Sequence, residues 1–222
     1  MAGLYVILDW PHAGGLDAVS AAEGLVGGCP DGPGPRLLQL RCKDSDTAMR
    51  IALIEQVGPT CRAAGVPLIV NDDLEAALAR PMLVGGLHLG QDDLYRLGAP
   101  PTWAAAIAEL RARGLIVGLS THDLAQVRAT EQLPVDYIGF GPVLATRSKL
   151  LPEPCVGFDG LAAACTRAPH PVVAIGGLDS GSALHAARCG ATMVATISAL
   201  VATSVQGVHA KVVALATALA AE

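Results

Sequence analysis

The sequence predicts a (β/α)8 barrel that forms a single domain over residues 1–222, and three observations support this fold. Short apolar runs alternate with alanine-rich stretches along the whole chain. Most of the apolar runs are continuous, as in parallel strands that are covered on both faces. Eight such strand–helix units suit the length of a closed barrel. A doubly wound open sheet is the alternative, but the GxGxxG fingerprint of dinucleotide-binding folds does not follow the first strand.

The predicted strands share a high content of apolar, often β-branched residues. They lie at residues 4–9, 36–42, 67–71, 86–89, 115–119, 136–139, 171–175 and 192–197. Loops rich in glycine or proline are expected at residues 27–35 and 142–157. No change of composition marks a linker, which favours one domain over two.

The predicted helices fill the longer gaps between the strands, and their ends carry start or stop signals. They lie at residues 45–64, 104–113, 123–131, 182–189 and 205–221. Ser45 begins the first of them with capping chemistry, and Gly58-Pro59 is expected to kink or break it. Gly114 and Gly190 follow two of the others as C-terminal caps. The last helix carries one apolar stripe, formed by Val208, Val212, Leu215 and Leu219.

Composition excludes several classes of function. The net charge is −5 and aromatic residues make up 3% of the chain, so a nucleic-acid surface is not expected. No apolar run is long enough to span a membrane. The six cysteines show no CxxC spacing and no signal peptide is evident, so we expect a cytoplasmic protein with reduced thiols. A small phosphorylated ligand and a homo-oligomer both remain compatible with this composition.

Three polar residues alternate with apolar ones in the second predicted strand. Gln39, Arg41 and Lys43 are spaced by two, so they point to one face of a strand. An amide and two cations on one face suit the binding of an anion. The alternative is an edge strand with a solvated face, which antiparallel sheets often have.

Other predicted strands also end in polar residues, at the position where barrels of this class carry their chemistry. The candidate groups at these strand ends and in the following loops are Asn71, Asp72, Asp73, His88, Asp92, Asp93, Ser120, His122, Thr146, Ser148, Lys149, Gly176, Gly177, Ile197 and Ser198. Two carboxylates from adjacent strands could hold Mg²⁺ together with phosphate oxygens. Arginine and lysine could neutralise a diphosphate, and a glycine pair offers backbone N–H groups to a phosphate.

Several of these residues also have purely structural interpretations. Asp73 and Asp92 are interpreted as helix caps rather than metal ligands. His88 is interpreted as a buried strand histidine with a satisfied ring rather than a catalytic group. Gly176-Gly177 alone is a weak signal, because tight turns use the same residues. The argument for a site therefore depends on the placement of many polar residues at successive strand ends.

Taken together, these motifs resemble the thiamine phosphate synthase family over residues 4–198. The resemblance is carried by short segments in the family's order, namely residues 39–43, 71–73, 88–93, 118–122, 136–142, 146–149 and 173–177. It implies a barrel enzyme that joins an aminopyrimidine methyl diphosphate to a hydroxyethylthiazole phosphate and releases pyrophosphate. It also implies a dissociative reaction, in which pyrophosphate leaves before the thiazole nitrogen attacks.

The resemblance implies a role for each matching residue. The pyrimidine diphosphate would be held by Gln39, Arg41, Lys43 and Asn71, and Mg²⁺ by Asp72 and Asp93. Ser120 would contact the pyrimidine or its diphosphate, and Lys149 would stabilise the leaving pyrophosphate. The thiazole phosphate would be held by Thr146, Ser148, Gly176, Ile197 and Ser198. The loop at residues 142–157, which carries Lys149, is expected to act as a mobile lid.

The chain also departs from the family's usual pattern, at residues 84–86, 9–15 and 150–155, at Ser148, and at Cys42, where the family often has glutamate. Two alternatives therefore stay open. A thiazole tautomerase shares the fold and the phosphate loop but would lack the full diphosphate and metal set. A non-catalytic barrel that binds thiamine precursors is the other alternative.

Overall fold

Eight parallel strands close into a barrel in the computed structural model, which describes residues 2–27, 34–146 and 154–221. Each strand pairs with the next along the chain, and β1 pairs with β8 to close the sheet. The strands are β1 Gly3–Asp9, β2 Pro35–Arg41, β3 Leu68–Asn71, β4 Gly86–Leu89, β5 Ile116–Thr121, β6 Tyr137–Phe140, β7 Val172–Ile175 and β8 Met193–Thr196. The predicted barrel is confirmed, and the open sheet is excluded.

A helix follows each strand and covers the outside of the barrel. The α-helices are α1 Ala18–Val26, α2 Thr47–Ala63, α3 Leu74–Ala79, α4 Trp103–Ala112, α5 Leu124–Ala129, α6 Gly157–Arg167, α7 Ala183–Arg188 and α8 Val205–Ala220. Of these, α1 and α6 were not expected from the sequence, whereas α3 was implied by the cap interpretation of Asp73 without predicted bounds. Across the described ranges, none of the helices combines the length and the apolar character that a membrane span requires.

The strands separate two apolar clusters, one on each face of the sheet. The larger cluster lies between strands and helices and includes Leu38, Leu40 and Cys42 of the second strand region. The smaller cluster fills the barrel interior and includes Tyr5 and Tyr137. Because neighbouring residues of a strand face opposite sides, the outward packing of Leu38, Leu40 and Cys42 turns the polar residues between them towards the barrel axis.

Helix α2 runs through Pro59 without interruption, so the expected break at Gly58-Pro59 is wrong. A proline in a helix interior loses one backbone hydrogen bond but does not have to end the helix when packing holds it. The packing is close here: a Cβ atom on Gly58 would lie 2.8 Å from the Cβ of Leu83. The glycine therefore lets α2 approach the loop before β4.

Candidate active site

A cavity of about 500 Å³ opens at the carboxyl ends of the strands. Eleven predicted site residues line it, and they come from seven of the eight strands or the loops after them: Gln39, Arg41, Lys43, Asn71, Asp72, Asp93, Ser120, Thr146, Gly176, Ile197 and Ser198. Strand β2 pairs with a neighbour on both sides, so the interpretation of its polar residues as a solvated edge is wrong. The two remaining predictions, Ser148 and Lys149, lie outside the described residues.

Two carboxylates lie next to each other at the ends of β3 and β4. Asp72 accepts hydrogen bonds from the side chain of Asn71 and from the backbone N–H of Gly90, the latter at 3.1 Å. A Cβ atom on Gly90 would lie 2.9 Å from Asp93 Oδ2 and 3.8 Å from Asp72 Oδ1, so this glycine makes room for both acids. Asp72 also has a φ of 62°, in the left-handed region that only a few non-glycine residues adopt.

The charge of this pair is incompletely compensated. Burial, followed by the negative charge of Asp72, raises the pKa of Asp93 to about 6. Arg96 opposes this only partly, with its Nε 3.3 Å from Asp93 Oδ1 and its guanidinium exposed. Binding of either a proton or a cation would relieve the repulsion between these two crowded carboxylates.

These two acids fit a hard divalent cation such as Mg²⁺. Over residues 2–27, 34–146 and 154–221, no group of three or more Asp, Glu, His or Cys side chains is arranged to hold a metal. A cage of three or more such side chains is thus absent from the described part of the chain. Magnesium commonly takes one or two carboxylates and completes its shell with water and phosphate oxygens.

The neighbouring Asp73 and Asp92 have separate roles. Asp73 is the N-cap of α3 and accepts from the backbone N–H of Ala76 at 2.9 Å, as expected. It also pairs with Arg50. Asp92, however, is the first residue of a short 3-10 helix whose N-cap is Gln91, with no side-chain cap hydrogen bond. The cap interpretation of Asp92 is therefore wrong, because the turn after β4 places the preceding residue at the cap position.

A buried ion pair orients one of the predicted diphosphate ligands. The guanidinium of Arg41 donates to the carboxylate of Asp9, and both side chains are about nine-tenths buried. Asp9 is the last residue of β1 and lies directly opposite Arg41 in the register of β1 and β2. Lys43, two residues further along, is exposed and also lines the cavity. The pair fixes Arg41 at the wall of the cavity, while Lys43 stays at its mouth.

A chain of hydrogen bonds crosses the floor of the cavity. Gln39 Nε2 donates to the hydroxyl of Tyr5 at 2.9 Å, and the hydroxyls of Tyr5 and Tyr137 are 2.8 Å apart. The Tyr137 hydroxyl is 3.0 Å from His88 Nδ1, and His88 Nε2 is 2.9 Å from Ser120 Oγ. His88 is buried and both of its ring nitrogens are bonded, as expected. It nevertheless contacts Ser120, a predicted substrate ligand.

The glycine pair after β7 packs against the first residues of the loop at residues 142–157, the predicted lid. Gly176 and Gly177 have φ values of 103° and 66°. A Cβ atom on Gly176 would lie 2.5 Å from Pro142, and one on Gly177 would lie 2.5 Å from the carbonyl oxygen of Ala145. The backbone of the loop also bonds to β7 and the residues after it, for example from Val143 N–H to the carbonyl of Ile175 at 2.9 Å. Glycine is required here by backbone conformation and by close packing.

The departures at residues 84–86 lie away from this cavity. Gly86 begins β4, and its partners are Ile69 and Ile116 at the start of the ladder. The backbone N–H of Gly85 bonds to the carbonyl of Leu68. These residues are therefore at the amino ends of the strands, opposite the two carboxylates, and do not alter the geometry around Asp72 and Asp93.

Sequence reasoning missed four side chains that position this site. Asp9 lies in a segment that matches the family poorly, yet it is the carboxylate that holds Arg41. Tyr5 and Tyr137 look like ordinary strand residues, and Gln91, which donates to the carbonyl of Ser120, looks like a loop residue. The available signal was alternation: Tyr5 and Asp9 are an even number of positions apart on β1, so they face the same side.

Comparison with sequence families and curated proteins gives a consistent result. Residues 4–200 match the model of a family described as thiamine monophosphate synthase. The chain is 35% identical over 197 residues to a thiamine-phosphate synthase from Herpetosiphon aurantiacus, covering 89% of this chain and 87% of that protein. It is 33% identical to a protein of the same name from Chloroflexus aurantiacus, covering 90% and 85% of the two chains.

Solved structures agree with this comparison. A thiamine phosphate pyrophosphorylase from Pyrococcus furiosus superposes with a TM-score of 0.77 and 25% identity, over 98% of this chain and 95% of the other. A 3-hexulose-6-phosphate synthase superposes with a TM-score of 0.66 over 97% of this chain and 99% of the other. Its sequence identity is only 16%, so this second likeness concerns the fold alone.

Proposed function

We propose the following assignment of roles in this chain, which belongs to the thiamine monophosphate synthase family. The protein is a transferase of thiamine biosynthesis, and it condenses an aminopyrimidine methyl diphosphate with a hydroxyethylthiazole phosphate to give thiamine phosphate and pyrophosphate. The observation that carries the site assignment is that two adjacent carboxylates and two cationic side chains line one cavity: Asp72, Asp93, Arg41 and Lys43.

The diphosphate end of the cavity is assigned to the loops after β2, β3 and β4. Arg41 is held by Asp9 at the wall of the cavity, where a guanidinium can bind phosphate oxygens, and Lys43 adds a point charge. Asp72 and Asp93 would hold Mg²⁺, which supplies positive charge to the oxygens of the departing pyrophosphate. Gln39 on β2 and Asn71 on β3 would orient the pyrimidine diphosphate.

The thiazole phosphate is assigned to the opposite side of the cavity. Gly176 lies in the turn after β7, and Ile197 and Ser198 follow β8. Phosphate sites in these barrels commonly use the loops after strands seven and eight, which supports this assignment. Thr146 lines the same cavity. By resemblance to the family, Ser148 would bind the thiazole phosphate and Lys149 the leaving pyrophosphate.

The proposed reaction needs charge stabilisation more than a strong base. The bond between the pyrimidine methylene carbon and the diphosphate oxygen breaks, and its electron pair leaves with pyrophosphate. The resulting pyrimidine methyl cation is then attacked by the lone pair of the thiazole nitrogen, which forms the new C–N bond. Arg41, Lys43 and Lys149 would stabilise the charge that develops on the leaving group.

The cation must also be kept from water. The floor of the cavity supports this, because Ile7, Val173 and Ala195 lie under it together with the two buried tyrosines. The loop at residues 142–157 would close the top. Its two ends are joined by a hydrogen bond of 2.9 Å from Val156 N–H to the carbonyl of Pro142. Proteolysis within residues 145–154 should slow when both substrates are present, whereas an equal rate would argue against a lid.

One assay tests this function. The protein is incubated with the pyrimidine diphosphate, the thiazole phosphate and Mg²⁺, and thiamine phosphate is measured. Product formation is expected. Binding of both ligands without any product would favour the non-catalytic barrel, and isomerisation of a thiazole phosphate in place of condensation would favour the tautomerase.

We further propose that the protein acts in the cytoplasm on small phosphorylated molecules. The cysteines within the described residues are free thiols: Cys42, Cys61, Cys155, Cys165 and Cys189. Reduced thiols are typical of that compartment. The homo-oligomer allowed by the composition stays a prediction, to be tested by light scattering.

A further inference from the structure

The hydrogen-bond chain across the cavity floor joins five side chains in one row: Gln39, Tyr5, Tyr137, His88 and Ser120. The two tyrosines at its centre are 1% and 2% exposed. A buried hydroxyl hydrogen without an acceptor is costly, so the hydrogens of such a chain all point in one direction along it. The hydroxyl and imidazole groups can act as donor or acceptor, whereas an amide nitrogen can only donate.

The amide nitrogen of Gln39 sets the direction at one end. It donates to the Tyr5 oxygen, so the Tyr5 hydrogen has to be directed elsewhere, and the Tyr137 oxygen is 2.8 Å away. Tyr137 then accepts from Tyr5 and donates its own hydrogen to His88 Nδ1. The opposite direction would leave the buried Tyr5 hydrogen without the partner that Tyr137 provides.

We propose that Gln39 fixes the direction of this chain, so that His88 is held as the neutral Nε2–H tautomer and Ser120 offers its hydroxyl hydrogen to the cavity. The Nε2–H of His88 donates to Ser120 Oγ, and the Ser120 hydrogen is then directed towards the ligand. Tyr137 and His88 are positioning residues in this account. Ser120 would then bind a hydrogen-bond acceptor of the ligand in preference to a donor. In an aminopyrimidine, the acceptor is a bare ring nitrogen and the donor is the amino group.

The surroundings of the chain favour a fixed geometry. The His88 and Tyr137 rings stack with an interplanar angle of 21°, and Tyr5 meets Tyr137 edge-on at 83°. Gly118 leaves the space that the phenol end of Tyr137 occupies, since a Cβ atom there would overlap this ring. Burial raises the pKa of both tyrosines, so each hydroxyl keeps its hydrogen at neutral pH.

The experiment measures the tautomer of His88 directly, by ¹⁵N NMR of the histidine rings in the ligand-free protein at pH 8. The His88→Gln variant identifies the resonances. The wild type should show His88 with a hydrogen on Nε2 and none on Nδ1. The reverse tautomer, or a charged ring, would overturn the proposal.

Variants at the far end of the chain test its direction. In Gln39→Glu an ionised carboxylate, favoured by Arg41 at the end of the same strand and by Lys43 just beyond it, accepts from Tyr5 and should move the hydrogen of His88 to Nδ1. The double variant Tyr5→Phe/Gln39→Glu keeps the new charge but breaks the chain, so it should retain the wild-type tautomer. If the double variant changes as the single one does, the charge acts through space and the proposal fails.

A third variant tests the same proposal if Gln39→Glu does not fold. Tyr137→Phe removes only the hydroxyl beside Nδ1, so a second tautomer of His88 should appear. A single, unchanged tautomer would contradict the proposal. The identity of the ligand that meets Ser120 depends on the proposed function, but the tautomer is measured without substrate. A failed turnover assay and a failed NMR result can therefore be distinguished.

Discussion

Asp9 at the end of β1 and Arg41 at the end of β2 form a buried ion pair at the wall of the candidate active site. The pair joins residues that are 32 positions apart in the chain. It keeps the guanidinium of Arg41 at a fixed place before any ligand binds. It also means that a bound anion would share Arg41 with a carboxylate that is already present.

The first prediction concerns this pair. Asp9→Ala removes the Asp9 carboxylate from the buried guanidinium of Arg41, and removal of one partner of a buried pair typically costs about 3–5 kcal/mol. Pyrophosphate should therefore raise the melting temperature of Asp9→Ala more than that of the wild type, because it replaces the missing negative charge. Thermal melts with and without pyrophosphate measure both effects.

A matched control is Glu109→Ala, which breaks the exposed pair with Arg113 and should change stability by less than about 1 kcal/mol. An Asp9→Ala protein as stable as this control would show that Arg41 does not depend on Asp9.

The second prediction concerns the raised pKa of Asp93. The folded protein binds this proton more tightly than the unfolded chain, whose carboxyl titrates near 4. The metal-free protein should therefore gain stability as the pH falls from about 6 to about 4, and lose it as the pH rises through this range. At this partly exposed group the effect is about 1 kcal/mol or less. Denaturant unfolding at several pH values in EDTA measures it.

Asp93→Asn should remove this dependence on pH. It should be slightly more stable than the wild type at pH 7.5 without metal, and Mg²⁺ should no longer raise its melting temperature. Asp73 does not add to the change of stability between about pH 4 and pH 6. Burial raises its pKa, but the hydrogen bond from Ala76 and the charge of Arg50 outweigh burial and lower the pKa. The stability that Asp73 contributes is therefore lost only at lower pH. If Mg²⁺ still raises the melting temperature of Asp93→Asn, Asp93 is not a ligand of the metal.

The third prediction separates backbone strain from steric overlap at the glycine pair. Gly176→Ala places a Cβ atom 2.5 Å from Pro142 at a φ of 103°. Gly65→Ala also has a positive φ, of 68°, but open space around the Cβ atom. Strain alone costs about 1–2 kcal/mol, so Gly65→Ala should lose about that much and Gly176→Ala clearly more. Urea unfolding compares them, and equal losses would show that the stem of the loop adapts freely.

The fourth prediction concerns the proline inside α2. Pro59→Ala restores a backbone hydrogen bond in the middle of the helix and should raise the free energy of unfolding by about 2 kcal/mol. Pro100 is the first residue of a short 3-10 helix, where a backbone N–H would have no partner within the helix. Pro100→Ala should therefore not raise the free energy of unfolding. Urea denaturation of both variants measures the difference. Loss of stability in Pro59→Ala would mean that this site favours the proline conformation.

The sequence was sufficient to predict the barrel and most of the site, for a physical reason. In a closed parallel barrel every strand ends at the same rim, so polar residues at successive strand ends must meet. Gln39 and Asp93 could therefore be assigned to one cavity without coordinates. The pair of Asp9 with Arg41 could not, because it depends on the register between β1 and β2. The helix over residues 45–64 was predicted, but its uninterrupted course through Pro59 was missed, because local propensity competes there with tertiary packing.

The central claim is that this rim condenses the two substrates with the help of a metal held by Asp72 and Asp93. The most direct test is the rate of thiamine phosphate formation at saturating Mg²⁺ for the wild type, Asp93→Asn and Asp92→Asn. Asp92 is the neighbouring carboxylate and lines the same cavity, but has no role in the proposed metal site. We expect Asp93→Asn to lose at least about 100-fold in rate, or close to 3 kcal/mol of transition-state stabilisation, with Asp92→Asn within a few-fold of the wild type. Equal rates for Asp93→Asn and the wild type would contradict the account.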